Sequence, residues 1–174
     1  PNAKTATVAS DVPQANIAQS QTTDATAPVN QQLISVQTDL YHLWINPKGG
    51  DIVRIELLSH DKSKDSNQPF VMLENDAKRT YVAQSGLIGL NGPDSSRGGR
   101  PLYAVEKTSY TLADAKGVQD QSGHSEKVLT VPMVFKTPEG VEIIKTFTFT
   151  QGQYPIVVKH QVVNRSQQNW QGQM

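Results

Sequence analysis

Leu33-Ile34-Ser35-Val36-Gln37-Thr38-Asp39-Leu40-Tyr41-His42-Leu43-Trp44-Ile45-Asn46-Pro47-Lys48-Gly49-Gly50-Asp51-Ile52-Val53-Arg54-Ile55-Glu56-Leu57-Leu58 is the stretch that decides the fold class. In its middle, Tyr41, Leu43 and Ile45 fall on one face of an extended segment and His42 and Trp44 on the other. After Asn46-Pro47-Lys48-Gly49-Gly50-Asp51 the same period returns, with Val53, Ile55 and Leu57 facing one way and Arg54 and Glu56 the other. A period of two marks half-buried strands. Pro47 fixes φ, and Gly49-Gly50 can supply the positive φ that a sharp reversal needs, so the segment predicts a β-hairpin preceded by a strand at Leu33–Thr38.

The rest of the chain continues in the same way. Phe70-Val71-Met72-Leu73, Tyr81-Val82-Ala83 and Ser109-Tyr110-Thr111-Leu112 read as short strands, and Ser59–Pro69 as a charged, polar loop. Gly86–Arg100 holds five glycines and one proline, the profile of a long exposed loop. Beyond it, Leu129, Val131, Met133 and Phe135 alternate on one strand. Val141, Ile143, Phe147 and Phe149 occupy alternate positions on the next, across a type I turn with a bulge at Thr137-Pro138-Glu139-Gly140. Ile156, Val158 and Val162 share a face of a third strand, which completes a meander. Regularly spaced strands without intervening helices predict an all-β fold, a β-sandwich or a relative of one.

Ahead of Leu33 lie 32 residues with no aromatic side chain, dominated by Ala, Thr, Gln, Ser and Asn. They cannot bury enough surface to offset the entropy of ordering, so residues 1–32 read as a flexible polar linker and 33–174 as one domain. As a random coil, such a linker would span about 30 Å on average. Lysine plus arginine and aspartate plus glutamate balance at 16 each, which leaves no strong field to draw nucleic acid. The absence of cysteine excludes a disulfide scaffold and thiol chemistry. The chain opens on Pro1 instead of Met, and is expected to be a processed or excerpted piece of something longer.

Candidate chemistry is sparse. His42, His60, His124 and His160 are far apart and lack the short spacing of a metal motif. Asp61 with Asp65, and Asp114 with Asp120, stand in polar segments that would keep their carboxylates hydrated and untuned. There is no G-x-S-x-G nucleophile. Gly86-Leu87-Ile88-Gly89-Leu90-Asn91-Gly92 lacks the glycine spacing and the following helix of a phosphate cradle. Arg97-Gly98-Gly99-Arg100 could grip an anion but reads as a solvated loop. Tyr41 with Trp44, or Tyr103 with Tyr110, could stack on a sugar, with edge or core aromatics as the plain alternative. No catalytic, cofactor or metal residue is assigned.

A resemblance adds what the residues alone do not. Leu33-Ile34-Ser35-Val36, Thr38-Asp39, Ile45-Asn46 and Gly49-Gly50-Asp51 resemble the start of the large periplasmic domain of the YidC family of bacterial membrane-protein insertases. Further pieces follow in the same order: Ala83-Gln84-Ser85-Gly86-Leu87, Gly92-Pro93-Asp94, Arg100-Pro101-Leu102-Tyr103, Val105-Glu106-Lys107, Val131-Pro132-Met133 and Lys145-Thr146-Phe147. The resemblance covers roughly Leu33–Asn164. It implies an antiparallel β super-sandwich of the galactose mutarotase type, incomplete at its C-terminal end, on the periplasmic face of the bacterial inner membrane. It also implies a membrane anchor outside this sequence. The implied function is non-catalytic assistance in inserting and folding inner-membrane proteins, with the Sec translocon and nascent membrane proteins as partners. The alternative is a carbohydrate-binding or aldose-epimerase-like sandwich.

Overall fold

The computed structural model describes residues 32–174, apart from 65, 120–122 and 124. The expectation of a flexible linker at 1–32 therefore lies almost wholly outside the described residues. Among these residues ten strands run in chain order: β1 (Ile34–Gln37), β2 (Tyr41–Asn46), β3 (Asp51–Asp61), β4 (Pro69–Asn75), β5 (Thr80–Tyr81), β6 (Ser109–Thr111), β7 (Lys116–Gln119), β8 (Ser125–Lys136), β9 (Val141–Thr150) and β10 (Ile156–Asn164). Two short 3-10 turns, Pro93–Ser95 and Leu112–Asp114, are the only helical pieces among the described residues.

The strands form two sheets, a six-stranded one in the order β5-β4-β3-β2-β1-β6 and a four-stranded one in the order β10-β9-β8-β7. Their inner faces meet in one core. Ile34, Val36, Tyr41, Leu43, Ile45, Ile52 and Ile55 contribute from the first sheet, and Leu129, Val131, Met133, Ile143, Phe147 and Phe149 from the second. The fold is thus an all-β sandwich. Truncating one of these fully enclosed aliphatic side chains to alanine would cost roughly 2–5 kcal/mol.

Local chemistry sets the turns. The Thr38 hydroxyl accepts from the amides of Leu40 and Tyr41 and donates to the Tyr41 carbonyl, which tightens the β1–β2 reversal. At the β8–β9 hairpin the Gly140 amide donates to the Thr137 carbonyl and the Thr137 amide to the Val141 carbonyl, closing the turn read from Thr137-Pro138-Glu139-Gly140. The meander β8-β9-β10 is antiparallel throughout, as its alternation implied.

Three departures from the sequence reading have physical causes. A bulge after Trp44 pairs Ile45 with Ile52 while Trp44 pairs with Arg54, so Val53 is the extra residue. Ile52, instead of Val53, joins Ile55 in the core, because a bulge resets the inward phase of a strand. Second, β6 pairs with β1 in parallel, the one parallel strand pair among the described residues. The long connection from β5 to β6 leaves the chain free to return in either direction. Third, the Gly86–Arg100 loop is not wholly exposed: Leu87, Gly92 and Pro93 are buried and Asp94 and Arg100 turn inward.

Candidate functional site

The alternate positions of β9 run Val141, Ile143, Lys145, Phe147, Phe149, and Lys145 takes the core-facing place in that series with no exposed surface. An ammonium group there needs partners. Its Nζ donates to the carbonyl oxygens of Gly49, at 2.9 Å, and Ser85, at 2.7 Å. Arg100 converges on the same two carbonyls through Nη2, at 3.2 and 2.9 Å. Its Nε donates to Asp94 Oδ1 at 2.9 Å, its Nη1 bonds Asp51 Oδ2, and Gln84 adds a second donor to Asp51 at 3.0 Å. Two cations and two carboxylates thus form one neutral buried cluster. It ties the β2–β3 turn, the Ser85 and Asp94 segments of the following loop, and β9 of the opposite sheet.

The backbone is built around these charges. Gly49 has φ +81°, and a side chain on it would place Cβ 2.6 Å from Arg100 Nε. At Gly86 a Cβ would lie 2.4 Å from the Asp94 carboxylate carbon. Glycine is therefore required at both positions for the ionic groups to approach the main chain.

Burial pushes the Lys145 ammonium down to about 8, and the nearby Arg100 charge acts in the same direction, while Asp51 and Asp94 oppose them. Burial likewise pushes the Tyr103 hydroxyl upward. Asp51 Oδ1, the Tyr103 hydroxyl and both ring nitrogens of His160 are buried without a hydrogen-bond partner. His160 faces Lys145 across the β9–β10 pair. Burial, then the Lys145 charge, holds its imidazole below the usual histidine range. These groups could serve acid–base chemistry if a substrate reached them. Lys145 is sealed from solvent and its donors are committed to main-chain carbonyls, so the arrangement serves to fasten loops.

Beside the cluster the surface opens into a cleft of about 720 Å³. One wall is the loop from Gly89 to Leu102, and the other combines Phe135 and the Thr137–Val141 turn with Ser166 and Gln168–Trp170. Leu90 is 83% exposed and Leu102 40%, which leaves apolar surface at its rim. Arg100 and Glu139 are the charged residues of the lining. The Arg100 guanidinium is already engaged by the cluster, so the cleft offers neutral amides, hydroxyls and apolar surface beside the Glu139 carboxylate. Trp170 anchors one end by donating Nε1 to the Asn91 carbonyl at 3.1 Å.

The residues singled out from the sequence are dispersed. Tyr41 is buried and Trp44 lies on the outer face of the same strand, so the two cannot form one stacking surface. Tyr103 and Tyr110 are both core residues. His42 packs on Trp44 on the outer face and shares a hydrogen bond with Ser35, while His60 is exposed at the far end of β3. His124, Asp65 and Asp120 lie outside the described residues. Asp114 accepts from Lys107 and from the Thr111 amide, a capping role, and Asp61 is exposed. Among the described residues, no three histidine or carboxylate side chains come close enough to hold a metal ion. Arg97 and Arg100 part company, the first exposed and the second drawn into the cluster, which corrects the reading of both as a solvated loop. Lys145 and Asp51 were missed altogether. The available signal was a lysine set at an inward position of an apolar alternation.

A two-sheet all-β sandwich whose buried charges fasten its loops, opening beside them into a largely neutral cleft, defines the class: a β-sandwich domain with a structural ionic centre. The family model described as the YidC periplasmic domain matches residues 33–174. Membrane protein insertase YidC of Shewanella frigidimarina is 44% identical over 164 residues, covering 94% of this chain and 28% of that protein. For the protein of the same name from Pseudomonas fluorescens the identity is 43%, covering all of this chain and 29% of the relative, and for that from Azotobacter vinelandii it is 40%, covering 94% and 28%. The chain belongs to the YidC periplasmic domain family. Membership places it on the periplasmic face of the bacterial inner membrane, and the chain spans less than a third of the length of these curated relatives. The phrases by which its sequence resembles the family meet in space: Gly49, Asp51, Gln84, Ser85, Asp94, Arg100 and Lys145 together make the buried cluster.

Proposed function

We propose that residues 33–174 form a non-catalytic accessory domain of a membrane-protein insertase. It assists the insertion and folding of inner-membrane proteins by contacting emerging substrate segments and the periplasmic parts of the Sec translocon. Residues 1–32 serve as its tether. The observation that carries this reading is the family match across the whole of 33–174, to relatives named as membrane protein insertases. The arrangement of polar groups supports it: the buried charges are consumed in fastening loops, and the accessible cleft presents contact surface without a paired acid and base.

The test is made in the full-length parent protein. A photo-crosslinking side chain placed at Leu90 or Leu102 should yield adducts with translocon components or nascent inner-membrane proteins, identified by mass. Co-purification with Sec components that is unchanged after removal of 33–174, together with no adducts from either position, would refute the reading. Calorimetry against mono- and oligosaccharides addresses the carbohydrate alternative, which Trp170 at the cleft keeps in play. Selective, tight binding of one sugar would move the assignment there.

A further inference from the structure

We propose that the loop from Gly92 to Arg100 is a flap over the cleft, latched by Arg100, and that it opens as a unit without disturbing the sandwich. The flap folds on itself. The Ser95 amide donates to the Gly92 carbonyl, the Ser96 amide to that of Pro93 and the Gly99 amide to that of Ser96. The Ser95 and Ser96 hydroxyls close onto the Gly89, Gly92 and Gly99 carbonyls. Pro93–Ser95 adds a 3-10 turn of its own. Among the described residues, the polar ties from this segment to the sheets pass through one side chain. Arg100 reaches Asp51, the Gly49 carbonyl and the Ser85 carbonyl, while Nε holds Asp94 within the flap. Ser95–Gly99 are exposed on the outer side.

The geometry separates seat from latch. Asp94 accepts from the Leu87 amide at 2.7 Å and its own amide donates to the Leu87 carbonyl at 3.1 Å, so this pair seats the flap on the buried Leu87 and parts when the flap lifts. Lys145 donates independently to the same Gly49 and Ser85 carbonyls, so these two main-chain acceptors stay satisfied when the guanidinium leaves, and the cost of opening falls on Asp51, which keeps the Gln84 donor. Breaking the latch therefore exposes few orphaned main-chain groups, the condition for an opening much less costly than global unfolding. Because Pro93, Ser96, Gly99 and Arg100 form one wall of the cleft, the flap's position sets the width of the cleft.

The experiment is amide hydrogen exchange on the whole chain, wild type against R100Q and the milder R100K. In R100Q, the amides of Leu87 and Asp94, whose bonds part when the flap lifts, are expected to exchange at least tenfold faster, with those of Leu129–Phe135 and Val141–Phe149 within a factor of three of wild type and R100K in between. If R100Q does not fold, D94N is read in the same way, since Asp94 is the partner of Arg100 within the flap and its hydrogen bonds among the described residues reach neither sheet. Unchanged exchange at Leu87 and Asp94 would overturn the proposal. So would equal acceleration in β8 and β9, which would make Arg100 a determinant of global stability instead of a latch.

Discussion

The buried lysine gives the chain an unusual alkaline stability profile. Lys145 ordinarily titrates near 10.5 and is held down to about 8 in the folded state. Between those values the unfolded chain retains a proton that the folded chain has lost, so stability rises with pH across the window. The displacement is worth about 3 kcal/mol in all, of which about 2 falls between pH 8 and 10. Tyrosine burial limits the rise. The Tyr41 hydroxyl is pushed up to about 12 and that of Tyr103 is raised as well, so above pH 10 the unfolded chain loses protons that the folded one keeps, and stability falls. Urea unfolding from pH 7 to 11 should therefore show a maximum near pH 10. K145M should flatten the rise whatever its absolute stability, because the titrating group is gone. D51N, which removes a carboxylate that supports the ammonium, should move the onset below pH 8. A wild-type curve that is flat or falling between pH 8 and 10, or a K145M curve with the same rise, would refute the reasoning.

Three further outcomes are expected. G49A should lower stability by about 3 kcal/mol in chemical denaturation, combining the cost of a left-handed alanine with displacement of the Arg100 guanidinium, whereas an exposed substitution such as S63A should stay within about 0.5 kcal/mol. On the acid side, His42 and His160 are both held below their usual range, chiefly by burial, so stability should fall as the pH drops below about 6.5; H160Q should reduce that loss, and an identical pH profile in the variant would count against it. Among the described residues β10 is an edge strand nine residues long with Val157 more than half exposed, so the chain should self-associate with rising concentration in light scattering, and V157K should suppress the association. Monomeric behaviour of the wild type at every concentration would contradict the edge reading.

Much of this protein was legible in its residues because alternation is a local property. Tyr41, Leu43 and Ile45 had to share a face, as did Leu129, Val131 and Met133, and the Thr137–Gly140 turn had to close a hairpin, since each follows from strand geometry and turn chemistry over fewer than ten residues. Those segments made the all-β fold readable, and the ordered phrases from Leu33 to Lys145 made the family readable. The phase of β3 was not legible, because the bulge after Trp44 is settled by pairing with a neighbouring strand, nor was the parallel return of β6 beside β1. Nor was the cluster. Asp51, Ser85, Asp94, Arg100 and Lys145 are spread over nearly a hundred positions, as the separation of 96 residues between Lys145 and Gly49 shows, and only the closure of one sheet on the other brings them within hydrogen-bond distance. The amino-acid order determined which faces of β2, β8 and β9 turn inward. The tertiary structure alone decided which charges would be buried together, because a charge enters a core only where distant partners arrive to compensate it.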